Sequence, residues 1–420
     1  MGRFLRPLDS PSRVWQDLPA ASEADVKSVV LAVFALFISI CPASGLEIEH
    51  HRIESAVLGE SREYLIHLPP SYDDPEIEPR SYPVLLLLDG EAYTPTLAGI
   101  LHFMASEAVY TFQVPEMIIV GIPHPDRVRD LTPVPGTKLV DGSPLTGAER
   151  TGGGVALLEF LRDELLKEVD ERWRTLPFRV LIGHSTGGLL AVWDLTSTKP
   201  VANAHIAIDP SLWWSDAAAS ERIRRLTKKT NKRWILYLAQ AGHSSIAGVD
   251  DDAHSRALDT AAAELKKARG DCLFLHRRFA EDAHDTVALP AFIRGLEFIF
   301  NGYRPDFGAF YSDPDQIEVH YDALATRIGF ELPPPENLFA MLAGWAASSG
   351  DPDKALRFRQ IAVSFYAKSW PACEALYRAL LEIGDPAAAR GAVETFLESV
   401  PGHQDAMQIL EETSPPKSDD

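Results

Sequence analysis

The sequence predicts an α/β protein: a mainly parallel sheet covered by helices, followed by a smaller all-α region. Three observations carry this prediction. From Glu47 to Gly302, short β-rich runs alternate with amphipathic helical patterns. Two of the runs, Val84–Leu88 and Met117–Val120, are continuously apolar, as strands buried on both faces must be. After Tyr303 the β-rich runs stop while helical periodicity continues. Alternation of this kind is the signature of helices packed on a parallel sheet.

Taken in order, strands are expected near 48–57, 61–68, 83–88, 117–122, 178–183, 203–208, 233–239 and 272–279, with helices near 96–110, 153–173, 187–197, 253–269 and 290–302. The first two strands read as an antiparallel hairpin turning at Gly59. Residues 304–334 are rich in Pro and Asp with little periodicity and read as a linker. Beyond it, Gly350-Asp351-Pro352 with Ala355 recurs 34 residues later as Gly384-Asp385-Pro386 with Ala389, and Leu342 and Leu376 share the offset. That period is the one found in tetratricopeptide helical hairpins, so residues 335–412 are expected to form a tetratricopeptide-like helical region, with a short disordered tail at 413–420.

A chain of 420 residues is too long for one ordinary core and suits a large domain of 46–303 plus a smaller one. Sixty acidic against forty basic residues give a net charge of −20, with no long run of Lys or Arg, so binding to nucleic acid or to an anionic membrane would work against repulsion. Three cysteines occur, without CxxC or Cys/His spacing, and no metal or organic cofactor is implied.

Val29–Ile40 is apolar but shorter than the ~20 residues of a membrane-spanning helix. It fits the apolar core of a signal peptide, with Ala43 and Gly45 as small residues for cleavage near Leu46. Residues 1–25 carry acidic groups where a basic segment is expected, and an alternative translation start at Val26 would leave a compact signal. Residues 1–45 are therefore expected to be a leader and the mature protein to be periplasmic or secreted.

One segment carries chemistry. Arg179-Val-Leu-Ile-Gly183-His184-Ser185-Thr186-Gly187-Gly188-Leu-Leu-Ala191 runs from an apolar strand through G-x-S-x-G into an apolar helix. This is the frame of a nucleophile elbow, in which a sharp turn lifts a serine hydroxyl clear of the sheet. A serine hydroxyl needs a base, which in such a frame follows the last strand; His284 lies there, in the polar loop Glu281-Asp-Ala-His284-Asp. The acid is harder to find, since no carboxylate directly follows the strand ending at Ala239. Asp250 is favoured, with Asp251, Asp252 and Asp209 as alternatives, and a Ser–His pair without an acid stays open. For an oxyanion, Thr186 would supply one backbone N–H and Gly90 or Glu91 a second. Arg129 is a candidate anchor for an anionic substrate group, and Trp213 and Trp214 candidate apolar walls.

Together, Asp89-Gly90, Arg129-Asp130-Leu131-Thr132-Pro133, Gly183-His184-Ser185-Thr186-Gly187-Gly188, Pro210-Ser211-Leu212-Trp213-Trp214 and the His284 loop resemble the putative-esterase family, over roughly residues 47–302. That family includes esterase D-type carboxylesterases, feruloyl esterases and enterochelin (ferric siderophore) esterases. The resemblance implies an α/β-hydrolase fold, a nucleophile at Ser185 and a base at His284; the sequence departs from it in lacking an acid after Ala239. Hydrolysis of a small-molecule carboxylic ester is the leading expectation. A periplasmic siderophore trilactone esterase is a narrower form of it. From another class comes a catalytically weak protein that binds a protein partner through its C-terminal helices.

Overall fold

A computed structural model of the chain describes residues 46–74, 79–106, 109–228, 232–243 and 251–413, with Asp251 and Asp252 described by backbone alone. The expected leader over 1–45 and the tail after Thr413 lie outside these residues. Eight strands form one sheet: β1 (Glu49–Ser55), β2 (Glu60–His67), β3 (Tyr82–Leu88), β4 (Ile118–Ile122), β5 (Thr175–His184), β6 (Ala204–Ile208), β7 (Trp234–His243) and β8 (Cys272–Ala283). Their spatial order is β1-β2-β4-β3-β5-β6-β7-β8. The hairpin of β1 and β2 turns at Gly59, whose φ is 67°. β2 joins β4 antiparallel, and every pairing from β4 to β8 is parallel.

Alternation along the central strands sets the layers. Leu85 and Leu87 of β3 pack with helices α1 (Gly90–Met104) on one face, whereas Val84, Leu86 and Leu88 pack on the other. The second face is covered by α3 (Gly154–Phe160) and α4 (Leu166–Arg172), joined by one π-helical turn, and a short α2 (Arg127–Leu131) precedes them. Then come α5 (Thr186–Leu195), α6 (Trp214–Ala217), α7 (Ala219–Thr227), α8 (Asp251–Leu265) and α9 (Ala288–Ile299). All residues of β3 and β4 are buried, which is why both read as unbroken apolar runs. The arrangement is an α/β-hydrolase fold. Helix α1 starts at Gly90 rather than near residue 96, because Pro95 sits inside the helix instead of starting it.

Residues 304–334 are not a free linker. They hold α10 (Phe307–Ser312) and α11 (Gln316–Ile328), whose Phe310, Tyr321, Leu324 and Ile328 join the same core as Phe178 and Phe300. The Tyr321 hydroxyl donates to the carbonyl of Tyr303 at 2.9 Å, and Arg327 donates to the carbonyls of Ile299 and Phe298 at 2.7 and 2.6 Å. Asp306 caps α10 by accepting from the Ala309 N–H, so the Asp-rich composition that suggested a linker belongs in part to helix starts.

Five further helices follow: α12 (Glu336–Ser348), α13 (Pro352–Phe365), α14 (Trp370–Glu382), α15 (Pro386–Ser399) and α16 (Gln404–Glu412). The two Gly-Asp-Pro triplets have one structural meaning. Gly350 and Gly384 take φ of 77° and 81° after α12 and α14; Asp351 and Asp385 then cap the next helices, and Pro352 and Pro386 occupy their first positions. The described residues form one compact unit. Within it α12 and α13 share the main core, while Cys373, Val393, Phe396 and Ala406 form a separate cluster.

Candidate active site

The elbow is built by close approach at two levels. Ser185, between β5 and α5, takes φ 58° and ψ −117°, a conformation that L-residues adopt at a cost of about 1–3 kcal/mol. A side chain at Gly183 would press into the backbone of Gly187, so the turn closes only with glycine there. The loop after β6 is stitched to it: Ser185 N–H donates to the Ile208 carbonyl at 2.9 Å, and Ser211 N–H to the Ser185 carbonyl at 3.0 Å. The hydroxyls of Ser185 and Ser211 lie 3.3 Å apart.

That stitching brings Asp209 into the site. It directly follows β6 with φ 41°, is 1 % exposed, and places Oδ2 2.5 Å from Nδ1 of His284 and 3.0 Å from Nε2 of His254. Its Oδ1 accepts from the Ala241 N–H at 2.9 Å. Burial alone would raise the Asp209 pKa, but hydrogen bonds from His254 and then His284 outweigh it and hold the carboxyl well below the usual range. An ionised Asp209 accepts only, so both rings donate to it, which in a neutral His284 leaves Nε2 as the acceptor. The His284 loop is fixed from both sides: its N–H donates to the His243 carbonyl at 3.0 Å, and its carbonyl accepts from Nε2 of His184 at 2.7 Å.

His184 stacks near His284, with ring centroids 4.7 Å apart. Burial, and next the neighbouring His284, push its pKa down to about 4. Because Nε2 donates to a carbonyl, Nδ1 accepts from the Tyr93 hydroxyl at 3.1 Å, and the ring is held neutral. Opposite, Thr186 opens α5 and Gly90 opens α1. A Cβ on Gly187 would stand 3.5 Å from Oδ2 of Asp89, so the two turns are neighbours. Gly90 lies so close to Gly121 and Ile122 of β4 that a side chain there would collide with backbone. Arg127 clamps Asp89 through two bonds of 2.6 and 3.0 Å and reaches the His184 carbonyl at 3.3 Å.

Of the candidate acids, Asp250 lies outside the described residues, and Asp251 and Asp252 open α8. It is Asp209 that contacts His284. Arg129 is engaged internally: it donates to Asp130 at 2.8 Å and to both oxygens of Glu60 at 3.0 and 2.6 Å, so it is no free anchor for substrate. Trp214 is buried, donates to the Val134 carbonyl at 2.9 Å and serves packing, and half-buried Trp213 lies against the same apolar cluster. Two residues near the site escaped the sequence reading. Arg127 sits two positions before Arg129, but only the fold shows which of them faces Asp89. His254 gave no local signal, because its meaning depends on a strand end 45 residues earlier.

Three donor atoms of Asp209, His254 and His284 lie within 4.8 Å of one another, the one such group among the described residues. The bonds that both rings donate to Oδ2 use the facing lone pairs and protons, making the trio a hydrogen-bonded network, and the His284 ring lies 4.7 Å from that of His184, the residue before Ser185. Such an arrangement can orient a base beside a serine. Among the described residues, no helix is long and apolar enough to cross a membrane.

Comparison with known proteins agrees with this fold. Residues 55–257 match the family model described as Putative esterase. Ferri-bacillibactin esterase BesA of Bacillus subtilis is 27 % identical over 219 residues, covering 49 % of this chain and 72 % of BesA. Among solved structures, an IroE-like serine hydrolase from Shewanella oneidensis superposes with a TM-score of 0.67 at 28 % identity, covering 76 % of this chain and all of that one. Siderophore hydrolase EstA from Aspergillus nidulans shares the fold, with a TM-score of 0.51 at 21 % identity over 62 % of this chain and 96 % of EstA.

Proposed function

Since the chain belongs to the putative-esterase family of α/β-hydrolases, we propose that it hydrolyses carboxylic esters through an acyl-enzyme on Ser185. The observation that carries the reading is the Asp209–His284 bond of 2.5 Å beside a serine held at φ 58°. In this reading Nε2 of His284 takes the Ser185 proton as Oγ attacks the ester carbonyl. Asp209 holds the ring in the required tautomer and stabilises the imidazolium that forms. Negative charge on the carbonyl oxygen is met by the Thr186 N–H, with an N–H of Gly90 or Glu91 from the facing turn. The imidazolium then protonates the leaving alcohol, and water activated by the same ring releases the acid.

The substrate class we favour is a siderophore ester. Its support is the similarity to a ferri-bacillibactin esterase and to a siderophore triacetylfusarinine C esterase of Aspergillus fumigatus, the latter 26 % identical over 165 residues. A fluorophosphonate probe should label the native chain and not Ser185→Ala. In the same variant p-nitrophenyl ester turnover should drop by at least about 10³-fold with an unchanged thermal midpoint. Retention of a tenth of the rate would overturn the nucleophile assignment. Ester turnover without any cleavage of a cyclic trilactone siderophore would overturn the substrate class alone.

A further inference from the structure

We infer that His254 is a positioning residue for hydrolysis, a second imidazole that locks the Asp209 carboxylate so that His284 presents Nε2 to Ser185. The inference rests on the proposed triad and extends it to a residue from another element. In the sheet order, β7 lies between β6, which leads to Asp209, and β8, which leads to His284, so the acid must reach across an intervening strand. A carboxylate in that position has rotational freedom unless it is held on more than one side.

Three N–H groups hold it. Ala241 of β7 fixes Oδ1 at 2.9 Å, while His284 and His254 share Oδ2 at 2.5 and 3.0 Å. His254 lies in the first turn of α8, within the connection from β7 to β8, and its ring stands edge-on to His284 at 88° with centroids 5.6 Å apart. The His254 side chain is 18 % exposed and that of Asp209 1 %. A water in its place would satisfy the oxygen but would not fix its direction. Removing the ring would let the carboxylate turn and His284 follow it, lowering the chemical rate while leaving substrate contacts intact.

The position of the donor atom allows a direct test. Nε2 of glutamine can stand near where Nε2 of histidine stands, whereas phenylalanine fills the ring volume without donating. His254→Ala and His254→Phe should each lose roughly 10- to 100-fold in kcat, as expected for loss of an orienting contact. KM on a small soluble ester should stay within about twofold, and His254→Gln should recover most of the loss. Thermal midpoints and the Phe variant separate this role from packing, since a packing residue would be rescued by Phe and not by Gln. Near-normal kcat in His254→Phe, or equal losses in kcat for Gln and Phe, overturns the inference. Should Ser185→Ala keep its rate in the same assay, it is the hydrolase reading that fails instead.

Discussion

Asp209 carries its charge inside the protein because three N–H groups converge on it from β7, α8 and the loop after β8. Replacement by asparagine leaves a group of similar shape that can present an amide to His284 and favour the wrong tautomer. Asp209→Asn should therefore cut kcat by about 10³–10⁴-fold. Asp251→Asn and Asp252→Asn, at the start of α8, should forfeit only a favourable helix-terminus charge, up to about 1 kcal/mol, with turnover near normal. Steady-state kinetics with denaturant midpoints on the three variants distinguishes the two behaviours. A near-normal rate in Asp209→Asn would leave a Ser–His pair as the better description. Arg129 gives the complementary lesson: an arginine that looks available in a sequence is consumed by Glu60 and Asp130 once the chain folds.

At the scale of elements, the turn from β5 into α5 joins function to stability. His184 ends β5, buried between Tyr93 and the His284 carbonyl, with its pKa pushed down to about 4 by burial first and His284 second. The unfolded chain takes up this proton near pH 6.5, and the folded chain near 4. Stability is therefore complete above pH 6.5 and falls as the pH drops through that window, by roughly 3 kcal/mol for a group so buried. Urea midpoints should decline between pH 7 and 4.5, and His184→Gln, which does not titrate, should flatten that decline. Asp130 adds a separate loss at lower pH. Burial raises its pKa, yet hydrogen bonds from His124 and Arg62 lower it more, to about 2, so its contribution stands above pH 4 and fades toward 2. An unchanged slope in His184→Gln would show that the ring accepts its proton without penalty.

For the whole molecule, the boundary between enzyme and appendage lies further along the chain than composition suggests. Tyr303, Phe310, Tyr321, Leu338, Phe339 and Phe358 belong to the core that holds Phe178, Phe292 and Phe300, so a chain ending at Tyr303 would expose a large apolar face. Such a chain should aggregate or unfold. One ending at Lys368 keeps α10 to α13 and removes only α14 to α16, of which the cluster around Cys373, Val393 and Phe396 is separate and that around Leu376, Leu380 and Ala389 meets α13 at Leu356 and Val363. It should remain folded and hydrolyse a small ester at near the full rate. Circular dichroism melting and ester turnover on the two shortened chains check this, and a folded, active chain ending at Tyr303 would refute it.

All eight strands were legible within a few residues, because unbroken or alternating apolar runs are local and burial leaves them little freedom. So was the elbow, since Gly183, Ser185 and Gly187 encode a turn whose geometry depends on neighbours in the chain. The contact of Asp209 with His284 was not legible. Asp209 and His284 are 75 residues apart, and which carboxylate meets the ring depends on how the loop after β6 is tied to the Ser185 turn. Nor could composition tell capping aspartates from linker residues in 304–334. What a residue does within its own turn is set by covalent geometry and burial pattern; what it does across the sheet is decided only when distant strand ends are brought side by side.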